Sequence, residues 1–380
     1  MGNSHHHAKE PHGELAPEQY PELNATLYDS DPATYLRFRL HTLVTMYNEQ
    51  EKSATEVSYG DLSMPRPDDF APAERARAIA LESTMLVHHA GESLMRLYMA
   101  HRDEPRCPWL TVAKLTFPKV KPQVAKFARP DYSWPEGDLE RVFLGGSSLQ
   151  EAGIKVPEER WTESVEALGV LMRQTAQRIT SQAALYNAAK HGLVGIPGEG
   201  FKLTMSTPDG GDVSVANGPT VTYLRHPERP GEKWSAQTDV VDIETDFASV
   251  HVMTVALHNL WAVARRRYLA QPGQIYLLPR EYVSRAFFLG AIGKGNLATG
   301  MSVQLHEKVS RDAPWGEGLR PGVLKLDMVN PGALPEDPDS QGRYVRLTPS
   351  ELPLRETDTT PFTGRSKYLL PFSPRWASTF

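Results

Sequence analysis

The positions of proline limit where this chain can form long helices. Proline lacks a backbone N–H and clashes with the preceding helical turn, so it is excluded from helix interiors. The chain contains 31 prolines among 380 residues, more than the roughly 5% that is usual. Ten of them fall in the last 67 residues, so an extended, loop-rich part is expected from residue 314. Long helices are expected in the five proline-free windows, which are 33–64, 73–104, 158–196, 231–271 and 280–313.

Apolar residues recur at helical spacing inside four of these windows. The second predicted helix begins with Pro72 and Glu74, which both suit a first helical turn. The third begins after Pro157, and Gly192 is well placed to end it. The predicted helices cover about 33–51, 72–103, 157–192 and 246–269.

Between the third and fourth helices the pattern changes to alternation of apolar and polar residues. Residues 202–226 alternate in this way, and they include Asp209-Gly210 and Asn217-Gly218, two dipeptides typical of hairpin turns. Two or three strands are therefore expected there. Further candidate strands lie at 234–245, 273–279 and 300–309.

Together these elements predict a mainly α fold of the α+β class. We expect an antiparallel helical bundle with a β-hairpin insertion before its last helix and an extended Pro-rich C-terminal region. The expected organisation is a flexible N-terminal tail, a bundle with its insertion at about 200–245, and an irregular or β C-terminal region that packs on the bundle. These three parts cover 1–32, 33–271 and 272–380.

Composition and net charge exclude some classes of function. The formal net charge is −5, so the chain is no general polyanion binder and nucleic-acid binding would need a local basic patch. Cys107 is the single cysteine, which favours a reducing compartment, and a cytoplasmic location is expected. No apolar run approaches the ~20 residues of a membrane span, so no membrane association is expected.

Three residues of the second predicted helix form a candidate catalytic site. Glu92 and Arg96 are four residues apart on one face, where an ion pair would orient the guanidinium. His101 lies about 140° around the helix from Arg96, near a helix end where it could turn toward that face. An imidazole can transfer protons near neutral pH, and a guanidinium can hold a phosphate. The alternative is structural, with a solvated Glu92–Arg96 pair and His101 as a cation at the helix C-terminus.

Two motifs carry a resemblance to a known superfamily. Arg96-Leu-Tyr-Met-Ala-His101 is similar to the Arg-x(4–6)-His pattern of the HEPN superfamily, small helical bundles that include many RNases of toxin and abortive-infection systems. The segment Tyr186-Asn-Ala-Ala-Lys-His-Gly192 resembles the end of a helix in several abortive-infection HEPN-like proteins. The resemblance implies metal-independent RNA cleavage without a cofactor in a defence or stress system, with Arg96 on the phosphate and His101 as base or acid. It also implies a homodimer.

A basic segment follows this candidate site along the chain. Residues 111–130 contain five cations and no acid, with Phe117 and Phe127 interleaved. Positive charge beside rings that can stack on bases suits single-stranded RNA, so RNA is the expected partner. The second motif adds an amide and two basic side chains, although these residues also suit a plain helix ending. The predicted nucleic-acid-binding residues are Lys114, Lys119, Lys121, Lys126, Arg129, Asn187, Lys190 and His191.

Two other functions remain open on sequence grounds. One is a non-catalytic helical protein that binds a partner or a small ligand. The other is a metal-dependent enzyme, because His and Glu side chains inside helical bundles can hold metal ions. Its candidate ligands would be Glu82, His88, His89, Glu92, His251 and His258.

Overall fold

A computed structural model describes most of the helical part of the chain and several strands. The described residues are 19–48, 57–59, 62–64, 72–190, 195–206, 210–226, 234–294, 298–304, 324–328, 347–356 and 358. The helices are α1 (Tyr20–Leu27), α2 (Pro32–Asn48), α3 (Pro72–Arg102), α4 (Pro108–Lys114), α5 (Phe117–Phe127), α6 (Asp138–Phe143), α7 (Leu149–Ala152), α8 (Glu158–Ser181), α9 (Ala183–Lys190), α10 (Ile243–Leu269) and α11 (Arg280–Lys294). The strands are β1 (Val57–Tyr59), β2 (Leu62–Met64), β3 (Gly195–Ser206), β4 (Asp212–Arg225), β5 (Ser235–Val240), β6 (Gly273–Tyr276), β7 (Ala298–Gln304), β8 (Leu324–Met328) and β9 (Pro349–Leu352).

The mainly α fold with a small antiparallel sheet is confirmed. Three of the four predicted helices correspond to single helices, namely α2, α3 and α10. The third is divided at Gln182 into α8 and α9. Just before this break the Thr180 hydroxyl donates to the Ala176 carbonyl at 2.8 Å, a contact that often bends helices.

Helix α10 lies at the centre of the core. It packs against α2, α3 and α11, and most of its apolar side chains are buried. Within the described part of the chain it is the one helix long and apolar enough to cross a membrane, but 78% of its most apolar stretch is buried inside the protein. Burial on all sides explains an apolar composition without a lipid contact.

The larger sheet has the strand order β3-β4-β5-β7-β8, and every neighbouring pair is antiparallel. The Asn217-Gly218 dipeptide lies inside β4, so its prediction as a turn was wrong. Gly218 pairs with Phe201 beside a register shift in β3, and a bulge of this kind uses the same residue types as a turn. The hairpin prediction for β3 and β4 and the strand prediction for β5 are confirmed.

Strand β6 pairs with β9, which brings part of the proline-rich C-terminal region onto the body of the protein. Arg266 of α10 is fully buried there and donates to the carbonyls of Ala152, at 2.8 Å, and of Pro353, at 3.3 Å. Its Nε also lies 3.5 Å from the carboxylate of Asp358. These contacts tie Pro353 and Asp358 to the core.

Three expectations about organisation were wrong. Helix α1 lies within residues 1–32, the expected flexible tail, because Ala25 and Tyr28 pack on the end of α10. The basic segment 111–130, for which no helix was predicted, contains the end of α4 and all of α5, and the short lengths of these helices hide their periodicity. Helix α10 is also followed by another helix, α11, so the β insertion does not precede the last helix.

Candidate nucleic-acid interface

Helix α5 buries one face and exposes a cationic one. Val120, Val124 and Phe127 are at most 5% exposed and form its inner side; the helix packs on α8. The predicted cations all lie outward, and we call four of them the basic face: Lys114, Lys119, Lys121 and Lys126. Residues 105–130 contain no acidic residue. The result is a locally positive surface on a chain of net negative charge.

Three other predicted residues of this segment behave differently. Arg129 is exposed but pairs with Asp131 at 2.6 Å, so its charge is partly neutralised. Phe127 is 1% exposed, so its predicted role as a base-stacking ring was wrong. The side chain of Phe117 lies outside the described residues. Trp109 of α4, which sequence reasoning missed, is a large ring with 38% of its surface exposed.

Arg96 joins α3 to the start of the basic face. Its Nε donates to Glu92 Oε1 at 2.8 Å, as predicted from their spacing, and its Nη1 donates to the Leu115 carbonyl between α4 and α5. The two charged side chains are 25% and 35% exposed, so the ion pair itself adds well under 1 kcal/mol to stability. Its main effect is to orient the guanidinium beside α5.

His101 does not join Arg96. It is 3% exposed, and its ring lies against Tyr28, which follows α1, and against Tyr268 of α10. Its Nδ1 lies 2.7 Å from the Leu97 carbonyl, which requires an N–H there, so Nε2 accepts from the Tyr28 hydroxyl. Burial lowers the pKa of His101 to about 4. The predicted placement of His101 beside Arg96 was therefore wrong. The alternative prediction, that His101 is a cation at the helix C-terminus, was also wrong, because the buried ring is neutral.

The second motif contacts α3 at His88, about two helical turns before Arg96. The Tyr186 ring stacks on His88 with centroids 4.4 Å apart, and Lys190 Nζ lies 5.8 Å from the centre of that ring. Asn187 and Lys190 are exposed. Burial raises the pKa of Tyr186, and the nearby Glu92 carboxylate raises it further. His191 lies outside the described residues.

Among the described residues, His89 is the histidine that the fold places in this region with access to solvent. It is half-buried, its ring meets Tyr186 edge-on at 5.8 Å, and its Nδ1 accepts from Arg39 at 2.9 Å. Burial and then Arg39 lower the pKa of His89, while Glu92 raises it. Sequence reasoning considered His89 only as a metal ligand. His89 precedes Glu92 by three residues and Arg96 by seven, and this spacing puts the three residues on one helix face. That signal was missed.

The described part of the chain contains no site for the metal ion of a metal-dependent enzyme. No three His, Cys, Asp or Glu side chains there converge as a metal-binding group. His88 is buried against Tyr186, His251 packs near Tyr282, and His258 bonds Asp31 at 2.8 Å. These histidines serve packing and hydrogen bonding.

Comparison with known proteins does not extend this description. No protein-family model, no curated protein and no solved structure matches the chain.

Proposed function

We propose that this protein binds single-stranded RNA on the basic face. The observation that carries the proposal is the division of α5 into a buried apolar side and an outward side bearing Lys119, Lys121 and Lys126. Apolar packing fixes the helix, so all three lysines are held in solvent without an acid from their own segment, Lys119 and Lys126 on one flank of α5 and Lys121 on the other. Phosphates of a nucleic acid are the anions that such a group of cations attracts.

Neighbouring groups favour a single strand. Trp109 exposes a ring on which an unpaired base can stack. Arg96 is held beside the start of α5. Asn187 and Lys190 are exposed on α9, which contacts α3 at His88. A strand that follows the lysines could reach these groups. RNA with unpaired bases offers phosphates to the lysines and free bases to the Trp109 ring.

Charge removal from the basic face is expected to weaken RNA binding by about tenfold or more at low salt, because three phosphate contacts are lost. The variant is Lys119→Ala/Lys121→Ala/Lys126→Ala. The measurement is fluorescence anisotropy of a labelled oligouridylate in EDTA. A matched control, Lys155→Ala/Arg160→Ala/Lys202→Ala, removes the same charge from exposed residues elsewhere and should bind like the unaltered chain. Equal affinities for all three proteins would refute the proposal.

A second candidate function is metal-independent cleavage of the bound RNA. The favouring observation is that His89, Glu92 and Arg96 share one face of α3. Burial and Arg39 lower the pKa of His89, which favours the neutral imidazole that a general base requires. In this proposal Arg39 releases His89 Nδ1 when RNA binds, and Nδ1 takes the 2′-hydroxyl proton while O2′ attacks phosphorus. The bond from phosphorus to the 5′-oxygen breaks, that oxygen takes a proton from water, and Arg96 stabilises the charged phosphorane.

Under this second candidate, His89→Ala should reduce cleavage in EDTA by about 10²-fold or more, as expected for loss of a general base. His41→Ala, at an exposed position of α2, is the control and should cleave normally. Gel analysis of labelled RNA measures both. Full activity in His89→Ala would exclude the proposed role, and RNA that is bound but intact would leave the protein as a non-catalytic RNA-binding protein. The homodimer and the cytoplasmic location stay predictions.

A further inference from the structure

A partly exposed strip of α3 is bordered by α2 and α9. The strip consists of His89, Glu92 and Arg96, and we call it the α3 strip. Helix α2 reaches it through Arg39, whose Nη1 donates to His89 Nδ1 at 2.9 Å. Helix α9 reaches it through Tyr186, whose ring meets the His89 ring edge-on. Side chains of α2 and α9 therefore lie within reach of a ligand on the α3 strip.

Helix α2 runs antiparallel to α3, so residues earlier in α2 lie farther along α3. The contacts of both helices with α10 show this, because α2 is antiparallel to α10 and α3 is parallel to it. These contacts are Tyr47–Glu244 and Asp31–His258 for α2, and Ser83–Asp246 and His101–Tyr268 for α3. Tyr35 precedes Arg39 by about one turn on the same side of α2. Tyr35 therefore lies about one turn beyond Arg39, in the direction that leads from His89 to Arg96.

Tyr35 presents an open ring beside the α3 strip. Its side chain is 66% exposed, and the Cζ atom of Arg39 lies 5.9 Å from the centre of the ring. A cation at this distance is at the outer limit of a cation–π contact, which is about 6 Å. The guanidinium therefore borders the ring without covering it, and the ring is free to stack on a flat ligand.

The charges around the α3 strip largely balance one another. Glu82 pairs with Arg39 at 3.0 Å, and Glu92 pairs with Arg96 at 2.7 Å. Lys190 adds one positive charge on α9. Phosphate attraction is therefore much weaker here than on the basic face, and a ligand at Tyr35 must gain its affinity mainly from contact with the ring.

The α3 strip adjoins the basic face. Arg96 Nη1 donates to the carbonyl of Leu115, the residue that follows Lys114 of the basic face. His89 precedes Arg96 by seven residues, which is about 10 Å along α3. A strand that leaves the basic face at Lys114 along α3 therefore passes Arg96 and then Tyr35.

We propose that the Tyr35 ring stacks on a base of the RNA strand whose phosphates contact the basic face. The inference rests on the proposed RNA binding and adds to it a base-binding residue on a different helix. Aromatic rings of this kind bind single strands with little regard to sequence, because every base has a flat face. Tyr35 thus contributes affinity for unpaired bases where the charges contribute little.

The test is the affinity of Tyr35→Leu for labelled oligouridylate, measured by fluorescence anisotropy in EDTA on the full chain. Leucine keeps an apolar side chain but has no ring, so binding should weaken about tenfold, as expected for the loss of one stacked base. The slope of log affinity against log salt concentration should not change, because no charge is lost. Tyr35→Phe keeps the ring and should bind like the unaltered chain.

Two controls separate stacking from other effects. Phe38→Leu removes a ring that is 71% exposed on the same helix, but Phe38 is the residue before Arg39 and points about 100° away from it. This variant should bind oligouridylate like the unaltered chain. Inorganic polyphosphate has phosphates without bases, so Tyr35→Leu should bind it as tightly as the unaltered chain does.

Equal oligouridylate affinities for Tyr35→Leu and the unaltered chain, or an equal loss in Phe38→Leu, would overturn the inference. So would a dimer in sedimentation equilibrium that Tyr35→Leu dissociates, because the ring would then contact a second copy of the chain. Oligouridylate binding that needs the lysines of the basic face but not Tyr35 would refute this inference and leave the RNA proposal standing. An unaltered chain that does not bind oligouridylate would refute both.

Discussion

Asp246→Ala is expected to lower the free energy of unfolding by about 3–5 kcal/mol, because it removes one partner of a buried ion pair. Asp246 is 2% exposed, bonds Arg178 directly, and accepts from the Ser83 hydroxyl at 2.8 Å. The Arg178 side chain is only 15% exposed, so water would compensate for the lost carboxylate only in part. Helices α3, α8 and α10 would lose a common contact. Urea unfolding followed by circular dichroism gives the value.

Two further variants show whether the loss of stability is specific to the buried ion pair. Asp131→Ala removes a carboxylate from the exposed pair with Arg129, and its urea midpoint should not change. The double variant Arg178→Met/Asp246→Leu should recover most of the lost stability, because apolar residues often replace a buried ion pair without net loss. A small effect of Asp246→Ala, equal to that of Asp131→Ala, would mean that the buried pair does not hold the three helices together.

Acidification is expected to destabilise the fold between pH 6.5 and about 4. Burial lowers the pKa of His101 to about 4 and that of His88 to about 3, from an ordinary value of 6.5. In that interval the unfolded chain binds protons at these positions and the folded chain does not, so stability rises with pH and is lost as pH falls. At pH 5 each histidine should account for about 2 kcal/mol of lost stability relative to neutral pH.

Urea unfolding at pH 7.5, 6 and 5 measures this loss. His101→Gln should unfold with a weaker dependence on pH, since one titrating group is gone, whereas His41→Gln, at an exposed position, should keep the full dependence. Unfolding free energies that are the same at pH 7.5 and pH 5 would contradict the buried, neutral state of both rings.

Sequence patterns predicted the long helices but not the short ones. The proline-free windows around α2, α3 and α10 are long enough for several apolar repeats, so the helical period is visible. Helix α1 has only eight residues and α5 eleven, with Pro122 inside it. Their positions depend on packing against α10 and α8, which no local pattern reveals.

Only part of the candidate site was predicted correctly, again because local sequence patterns reveal local geometry and not long-range packing. Glu92 and Arg96 pair as their spacing predicts, because a helix alone fixes that geometry. The direction of His101 depends on Tyr28, which is 73 residues earlier in the chain. Such long-range contacts choose between His101 and His89, and the sequence carries no motif for that choice.

The salt dependence of RNA affinity tests the central proposal most directly. Each phosphate contact to a single strand makes the slope of log affinity against log salt concentration steeper by about 0.7. The variant Lys119→Ala/Lys121→Ala/Lys126→Ala should therefore have a slope shallower by about 2 than that of the unaltered chain, while Lys155→Ala/Arg160→Ala/Lys202→Ala keeps the original slope. Identical slopes for all three proteins would contradict RNA binding on the basic face.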